Sequence, residues 1–345
     1  MIFFICVLIS SLPFVSSNKL GSGSSVSIAS AQNKPLAGDL FFATCNLPEC
    51  STLELSLYDL AAQSINKLYD FPFDDFEDGY VADLFVIPGS RQVVISLQYD
   101  SKPDQGFLLT FDVSSKKIVD GFNSSQCFNM WLDPSDTLQD RILCLSLQAK
   151  CDGGSQCTEL RHLSRSAHTD TLISSFLPNF APYTVSCLDI KKGLIYSTFG
   201  PLLSGHNVFA AIDPKTGKVF SQPTFPTSTA YIELEYDSIN DLTYGVVEDS
   251  DGVFVATIDP ASGVAKPVSN AAQLNTTMWN QFNSISTIAP EIGTFFFTAF
   301  HYEVPGPPPS DPILHLIGAN LTTGSLNFDQ IVQNPFCEIL WLPSV

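Results

Sequence analysis

The chain has 345 residues, with 35 acidic against 16 basic side chains and a formal net charge of −19. That balance excludes nucleic acid and anionic membrane as partners, because both select a basic face. Its 27 Phe and only 15% charged residues fit strands packed between other sheets, and the length is ample for one large core.

In chain order, residues 1–17 read as a signal peptide: an apolar run from Met1 to Ile9, then the small-residue site Val15-Ser16-Ser17. The run is too short and interrupted to span a bilayer, and no later segment approaches about 18 uninterrupted apolar residues. Residues 18–37 form a flexible Gly/Ser-rich lead-in, and 38–345 form the folded domain. The mature protein is expected to be secreted and extracellular. Three Asn-x-Ser/Thr triplets, at Asn123, Asn275 and Asn320, are the expected glycosylation sites. Setting Cys6 aside leaves an even number of cysteines, which suits an oxidising compartment. Cys45–Cys50 and Cys151–Cys157 are spaced to close short loops between adjacent strands. Cys127, Cys144, Cys187 and Cys337 remain, with their pairing open, and no spacing resembles a zinc site.

One pattern organises the rest. Ile212-Asp213-Pro214-Lys215-Thr216-Gly217-Lys218-Val219 reads as a β-hairpin, an apolar residue and Asp followed by a Gly turn. It recurs around Asp59, Asp112, Ser164, Asp259 and Asn320, a period of roughly 50 residues that belongs to propellers and similar arrays. Three other short apolar runs surround each anchor, with no long helical periodicity. They give strands at 81–87, 91–98, 107–113 and 117–122, then 128–132, 141–147, 158–164 and 171–176. The next blades follow at 184–190, 194–199, 207–213 and 218–224, then at 231–237, 242–248, 253–259 and 264–268. The last full set is 284–289, 294–301, 313–320 and 325–331. The first blade has strands at 40–43, 53–60 and 65–71 but no inner strand, and 338–343 at the far end supplies one. The expected fold is therefore all-β, a six-bladed β-propeller of four-stranded antiparallel blades, closed by a C-terminal inner strand that completes blade 1. The competing reading is an irregular all-β sandwich.

Inner strands line a propeller's channel. Aligned on the Pro or Asp that ends them, Glu338, Asp83, Asn129 and Glu233 share one register. Blades 4 and 6 place Val185 and Ile285 there, with Ser186 and Ser284 one step away. Carboxylate and amide oxygens so arranged suit calcium, the one cofactor this sequence suggests. In these four positions and in its architecture, the chain resembles the calcium-dependent six-bladed propellers of the gluconolactonase and paraoxonase group. The resemblance implies a channel metal held by Glu338, Asp83, Asn129 and Glu233, and ester or lactone hydrolysis. It does not extend to the paraoxonase-type His pair, because His162, His168, His206, His301 and His315 all lie off the inner strands. The plainer reading is that these side chains solvate a water-filled channel, and a third is that calcium is purely structural.

Asp70, Asp74, Asp75, Glu77 and Asp78 crowd one connection, and Asp249-Ser250-Asp251-Gly252 another, but neither has EF-hand spacing, so both read as solvated acidic loops. Trp279 and Tyr302 lie in connections on the channel-mouth face, where an exposed ring could stack on a ligand. Asp74, Asp75 and Asp78 belong to the same candidate binding face. There is no Gly-x-Ser-x-Gly elbow or His-Glu-x-x-His, and Gly200–His206 has His where a phosphate loop needs Lys. The leading expectation is a secreted, glycosylated, non-enzymatic module that binds an extracellular protein or small molecule with its loop face. The alternative is the calcium-dependent hydrolase, which lacks a general-base candidate beside the ring.

Overall fold

The second strand of each blade buries both of its faces, and this sets the architecture. In the strand Asp39–Cys45, Phe41 and Ala43 pack with Val93, Ile95 and Phe111, whereas Leu40 and Phe42 pack with Ile285, Phe296 and Leu316. Strand geometry turns successive side chains to opposite faces, so a continuous apolar run serves two neighbours at once. The structure, a computed structural model, describes residues 36–45, 52–72, 79–99, 105–148, 157–176, 180–201, 207–221, 223–225, 230–249, 252–268, 273–274, 281–301, 313–332 and 336–342. The predicted signal peptide, most of the lead-in, Cys50 and Cys151 lie outside these residues.

Six antiparallel sheets form the blades. Blade 1 is ordered Phe336–Leu342, Asp39–Cys45, Thr52–Asp59 and Ser64–Pro72, so the C-terminal strand is its inner member, as the sequence predicted. Blade 2 runs Gly79–Val86, Gln92–Tyr99, Gly106–Asp112 and Lys117–Ser124. Blade 3 runs Asn129–Leu132, Arg141–Gln148, Cys157–Ser164 and Thr169–Phe176. Blades 4, 5 and 6 begin with the inner strands Phe180–Asp189, Ala230–Asp237 and Gln281–Ala289. The six inner strands touch one another in a closed circle. Six apolar clusters fill the interfaces between neighbouring blades, one per interface.

The repeated Asp is a turn device. Asp59 Oδ1 accepts from the N–H groups of Ala61 and Ala62, both at 2.9 Å, and Asp213 Oδ1 from Lys215 N–H at 2.9 Å. Asp112, Asp259 and Asn320 cap the corresponding hairpins in the same way, and in blade 3 Ser164 Oγ accepts from Ala167 N–H. Short side-chain acceptors fold the backbone locally into such turns. Each hairpin then needs one left-handed residue, which is Gly217 (φ 67°), Gly263 (φ 68°) or Gly324 (φ 67°) in three blades. The outer strands of blades 4 and 5 differ from expectation, for each is split in two. In blade 4 the pieces are Val219–Ser221 and Thr224–Phe225, broken at Pro223, which has no N–H to give the ladder.

The closure between blades 6 and 1 centres on Trp341. Its backbone N–H donates to Thr287 Oγ1 (2.9 Å), its Nε1–H to Glu291 Oε2 (3.0 Å), and its ring stacks on Phe296. A Cβ at Gly38 would come within 2.0 Å of this ring, so the close approach requires glycine.

Cys127 and Cys144 form a disulfide tying the entry of blade 3 to its second strand. Cys187 is a buried free thiol, so the expectation that all four remaining cysteines pair off is corrected. It packs in the core between blades 4 and 5, whereas Cys337 belongs to blade 1, across the ring. Cys157 is also disulfide-bonded, to a partner outside the described side chains.

Two variants test the closure and the staple. Trp341→Ala should lower unfolding free energy by about 3–5 kcal/mol in denaturant titration; a change below about 1 kcal/mol would contradict the closure. Replacing Cys127 and Cys144 together with Ala should cost about 3 kcal/mol through the loop of 17 residues they close.

Candidate functional site

Asp83, Ser186, Glu233, Ser286 and Glu338 sit where the inner strands break register. Pairing to the second strand slips between Val81 and Asp83, between Pro182 and Ser186, between Tyr231 and Glu233, and between Phe282 and Ser286. In blade 1 the slip falls opposite Ala43 and Thr44, next to Glu338. Extra residues of this kind re-aim side chains and bend the strand. Gly245 accommodates the slip in blade 5, since a Cβ there would lie 2.5 Å from the Glu233 carbonyl.

The predicted ring residues come together with one the sequence reading missed. Glu338 lies within electrostatic reach of Asp83, Glu233 and Glu235, and Glu235 within reach of Asp83 and Glu233. Asn129 opens the inner strand of blade 3 and accepts from Ser186 Oγ at 2.8 Å. Ser186 in turn meets Ser197 Oγ at 3.0 Å. Blades 4 and 6 therefore reach the ring with Ser186 and Ser286, and the Val185 side chain lies outside the described ones. Ile285 instead packs into the core between blades 6 and 1, because the register slip displaces the alternation by one residue. The signal for Glu235 was available: residues two apart on a strand share a face, and Glu235 is two beyond Glu233.

Both oxygens of Asp83 are committed. Oδ1 accepts from Leu84 N–H at 2.7 Å and Oδ2 from Met130 N–H in the next blade. Burial is the dominant cause that pushes its carboxyl up to about 8, against the pull of those two N–H groups. Burial likewise raises Glu235 to about 8, opposed by Ser286 and reinforced by the charge of Asp83. Burial first, then the charge of Glu235, raises Glu233 well above the usual range. Glu338 is raised by burial and then by the charges of Asp83, Glu233 and Glu235. Asp83, Glu235 and Glu338 keep some residue surface, so it is their carboxyl groups, not the whole side chains, that are cut off from water. None of the four has an ion-pair partner among the described residues.

Hydrogen-bond counting leads the same way. Ser286 Oγ lies 3.1 Å from Glu233 Oε2 and 3.1 Å from Glu235 Oε1. A hydroxyl has one proton to donate. It satisfies one carboxylate, and the other contact is favourable only when that carboxyl is protonated and donates to Ser286. Glu233 Oε1 is buried and accepts no hydrogen bond. The donor set facing the channel is all oxygen, as calcium prefers. Among the described residues, however, no three His, Cys, Asp or Glu side chains gather as one ion's ligands.

Of the remaining predicted residues, Asn123 is exposed on the outer strand of blade 2, and Asn320 uses its Oδ1 to cap its hairpin. Asp74, Asp75, Asp78, Trp279, Tyr302 and Asn275 lie outside the described residues.

No protein-family model and no curated protein sequence matches the chain. Solved structures do. TolB from Acinetobacter baumannii is 13% identical with a TM-score of 0.56, over 89% of this chain and 67% of that one. A TolB-type protein from Agrobacterium tumefaciens is 10% identical at 0.53, over 89% and 98%. A 6-phosphogluconolactonase-like protein from Bacteroides uniformis is 10% identical at 0.51, over 85% and 82%. At these identities the likeness establishes the β-propeller fold alone.

The raised carboxyls make stability depend on pH. Asp83 and Glu235 have folded pKa values near 8, above the 3.8 and 4.5 of unexposed-to-charge reference groups. Their contribution is fully present below about pH 4 and is lost as pH rises through 8. The thermal midpoint should therefore fall between pH 5 and pH 8, and Glu235→Gln should flatten that slope. A midpoint that rises over this interval would contradict the carboxyl environment.

Proposed function

We propose that the chain is an extracellular binding module whose channel takes up a cationic ligand. One observation carries the reading: Asp83, Glu233, Glu235 and Glu338 bring four carboxyls from three blades into one buried ring, with no basic side chain among the described residues paired to any of them. Like charges held that close repel unless protons or a bound cation offset them. The net charge of −19 draws cations toward the same protein. A non-catalytic role is supported by the side chains around the ring. Asn129, Ser186 and Ser286 are neutral hydrogen-bonding groups, and no histidine lies on a described inner strand to move a proton between substrate and water.

The extracellular setting is supported by the signal-peptide pattern, the three glycosylation triplets and the Cys127–Cys144 disulfide, which is at home in an oxidising compartment.

A thermal-shift comparison tests the binding reading. Cationic small molecules should raise the unfolding midpoint of the wild-type protein, while matched anionic and neutral ones should leave it in place. The response should vanish in the Glu233→Gln, Glu235→Gln double variant. Equal stabilisation by anions, or an undiminished response in the double variant, would overturn it.

A further inference from the structure

We infer that two copies of this chain pair face to face through one end of the propeller, about a two-fold axis that passes by Ile190. In a four-stranded antiparallel blade, the turn from first to second strand and the hairpin from third to fourth lie at the same end. Blade 1 takes its inner strand from the C-terminus and has only the hairpin, so eleven such turns surround this end: 59–64, 87–92, 112–117, 132–141, 164–169, 189–194, 212–219, 237–242, 259–264, 289–294 and 320–326. They meet from blade to blade. Gln139 Nε2 donates to the Pro88 carbonyl at 3.2 Å, and the charge of Lys192 in blade 4 reaches Asp259 in blade 5. Together the turns carry nine basic and eleven acidic side chains, a net of −2. The other seven basic and 24 acidic side chains leave −17 to the rest of the chain. Like charge keeps copies apart, so this nearly neutral end is where they can approach.

Apolar surface collects at the same end. Leu138 is 84% exposed, Ile190 51% and Ile239 57%, on the corresponding turns of blades 3, 4 and 5. The matching turns of blades 2 and 6 expose no large aliphatic side chain. By contrast, Ile65, Val119, Leu172, Phe220 and Val264 are spread one to a blade over the outer strands, as a monomer's surface tolerates. A rotation that sets blade 4 on blade 4 sets blade 3 of each copy on blade 5 of the other. Ile190 then meets its own counterpart, and Leu138 meets Ile239. An isologous interface needs such self-complementarity. Charge follows the same arrangement. Arg165, on the blade 3 hairpin, has no ion-pair partner among the described residues, and the blade 5 hairpin opposite carries the exposed Asp259. The carboxylates of the facing turns 132–141 and 237–242 are committed to N–H and O–H donors of their own copy. The six turns of blades 3 to 5 are ample for the roughly 20–30 residues a side of a standard interface.

Sedimentation equilibrium of the purified protein at micromolar concentration and physiological salt should give twice the chain mass. Ile190→Asp and Leu138→Asp should each raise the dimer dissociation constant at least tenfold while leaving the thermal midpoint of the separated chain in place, since both side chains are exposed. Ile190→Cys should cross-link to its counterpart under mild oxidation, because the axis brings the two together, whereas Ile65→Cys on the outer rim should not. A wild-type protein that sediments as a monomer, a dimer indifferent to both aspartate variants, or equal cross-linking at the two cysteine positions would overturn the pairing.

Discussion

The structure depends on covering the blades' second strands from both sides. A four-stranded blade with two apolar faces has no stable place in water alone, and a row of such blades leaves its two end faces open. Closing the row into a ring removes both ends, and the six interblade clusters are the result. The last interface is made by a strand some three hundred residues from its partner in the chain, Phe336–Leu342 on Asp39–Cys45. Trp341 supplies the ring contact on Phe296 and two of the hydrogen bonds that hold blades 6 and 1 together.

Closure and the candidate site are the same event. Glu338 is carried by the strand that completes blade 1, and closing the ring sets it beside Asp83 of blade 2 and across from Glu233 and Glu235. The apolar contacts that seal the ring thereby also desolvate its carboxyls. Without the register slips in the inner strands, alternation would direct these side chains into interblade core, where Ile285 does pack. The fold thus accepts an electrostatic cost at its centre, a pattern expected where a surface is kept for a ligand rather than for stability.

Much of this was legible in the sequence. The Asp-x-x-x-Gly hairpins declare themselves because their chemistry is local: Asp213 and Asp259 hydrogen-bond residues two positions on, so spacing alone exposes the repeat. The missing first inner strand and the orphan 338–343 run explain each other by strand counting. Three of the ring carboxyls were found by aligning strand ends. Ser286 was not placed, because its position depends on a register slip that leaves no mark in the apolar pattern, whereas Glu235 was legible from its spacing to Glu233 and was passed over. The Cys127–Cys144 pairing was equally closed to sequence, since it is decided by which strands become neighbours. The split outer strand of blade 4 reflects a single Pro223 that breaks the ladder without breaking the blade.

The central claim is that four carboxyls share a dry channel with too few donors to serve them all. Carbon-13 NMR of protein labelled at the glutamate carboxyls reads this directly. At neutral pH at least one of Glu233 and Glu235 should give the signal of a protonated acid, lost when both are replaced by Gln. Glutamate carboxyls that all titrate in the ordinary range near pH 4 to 5 would contradict the account.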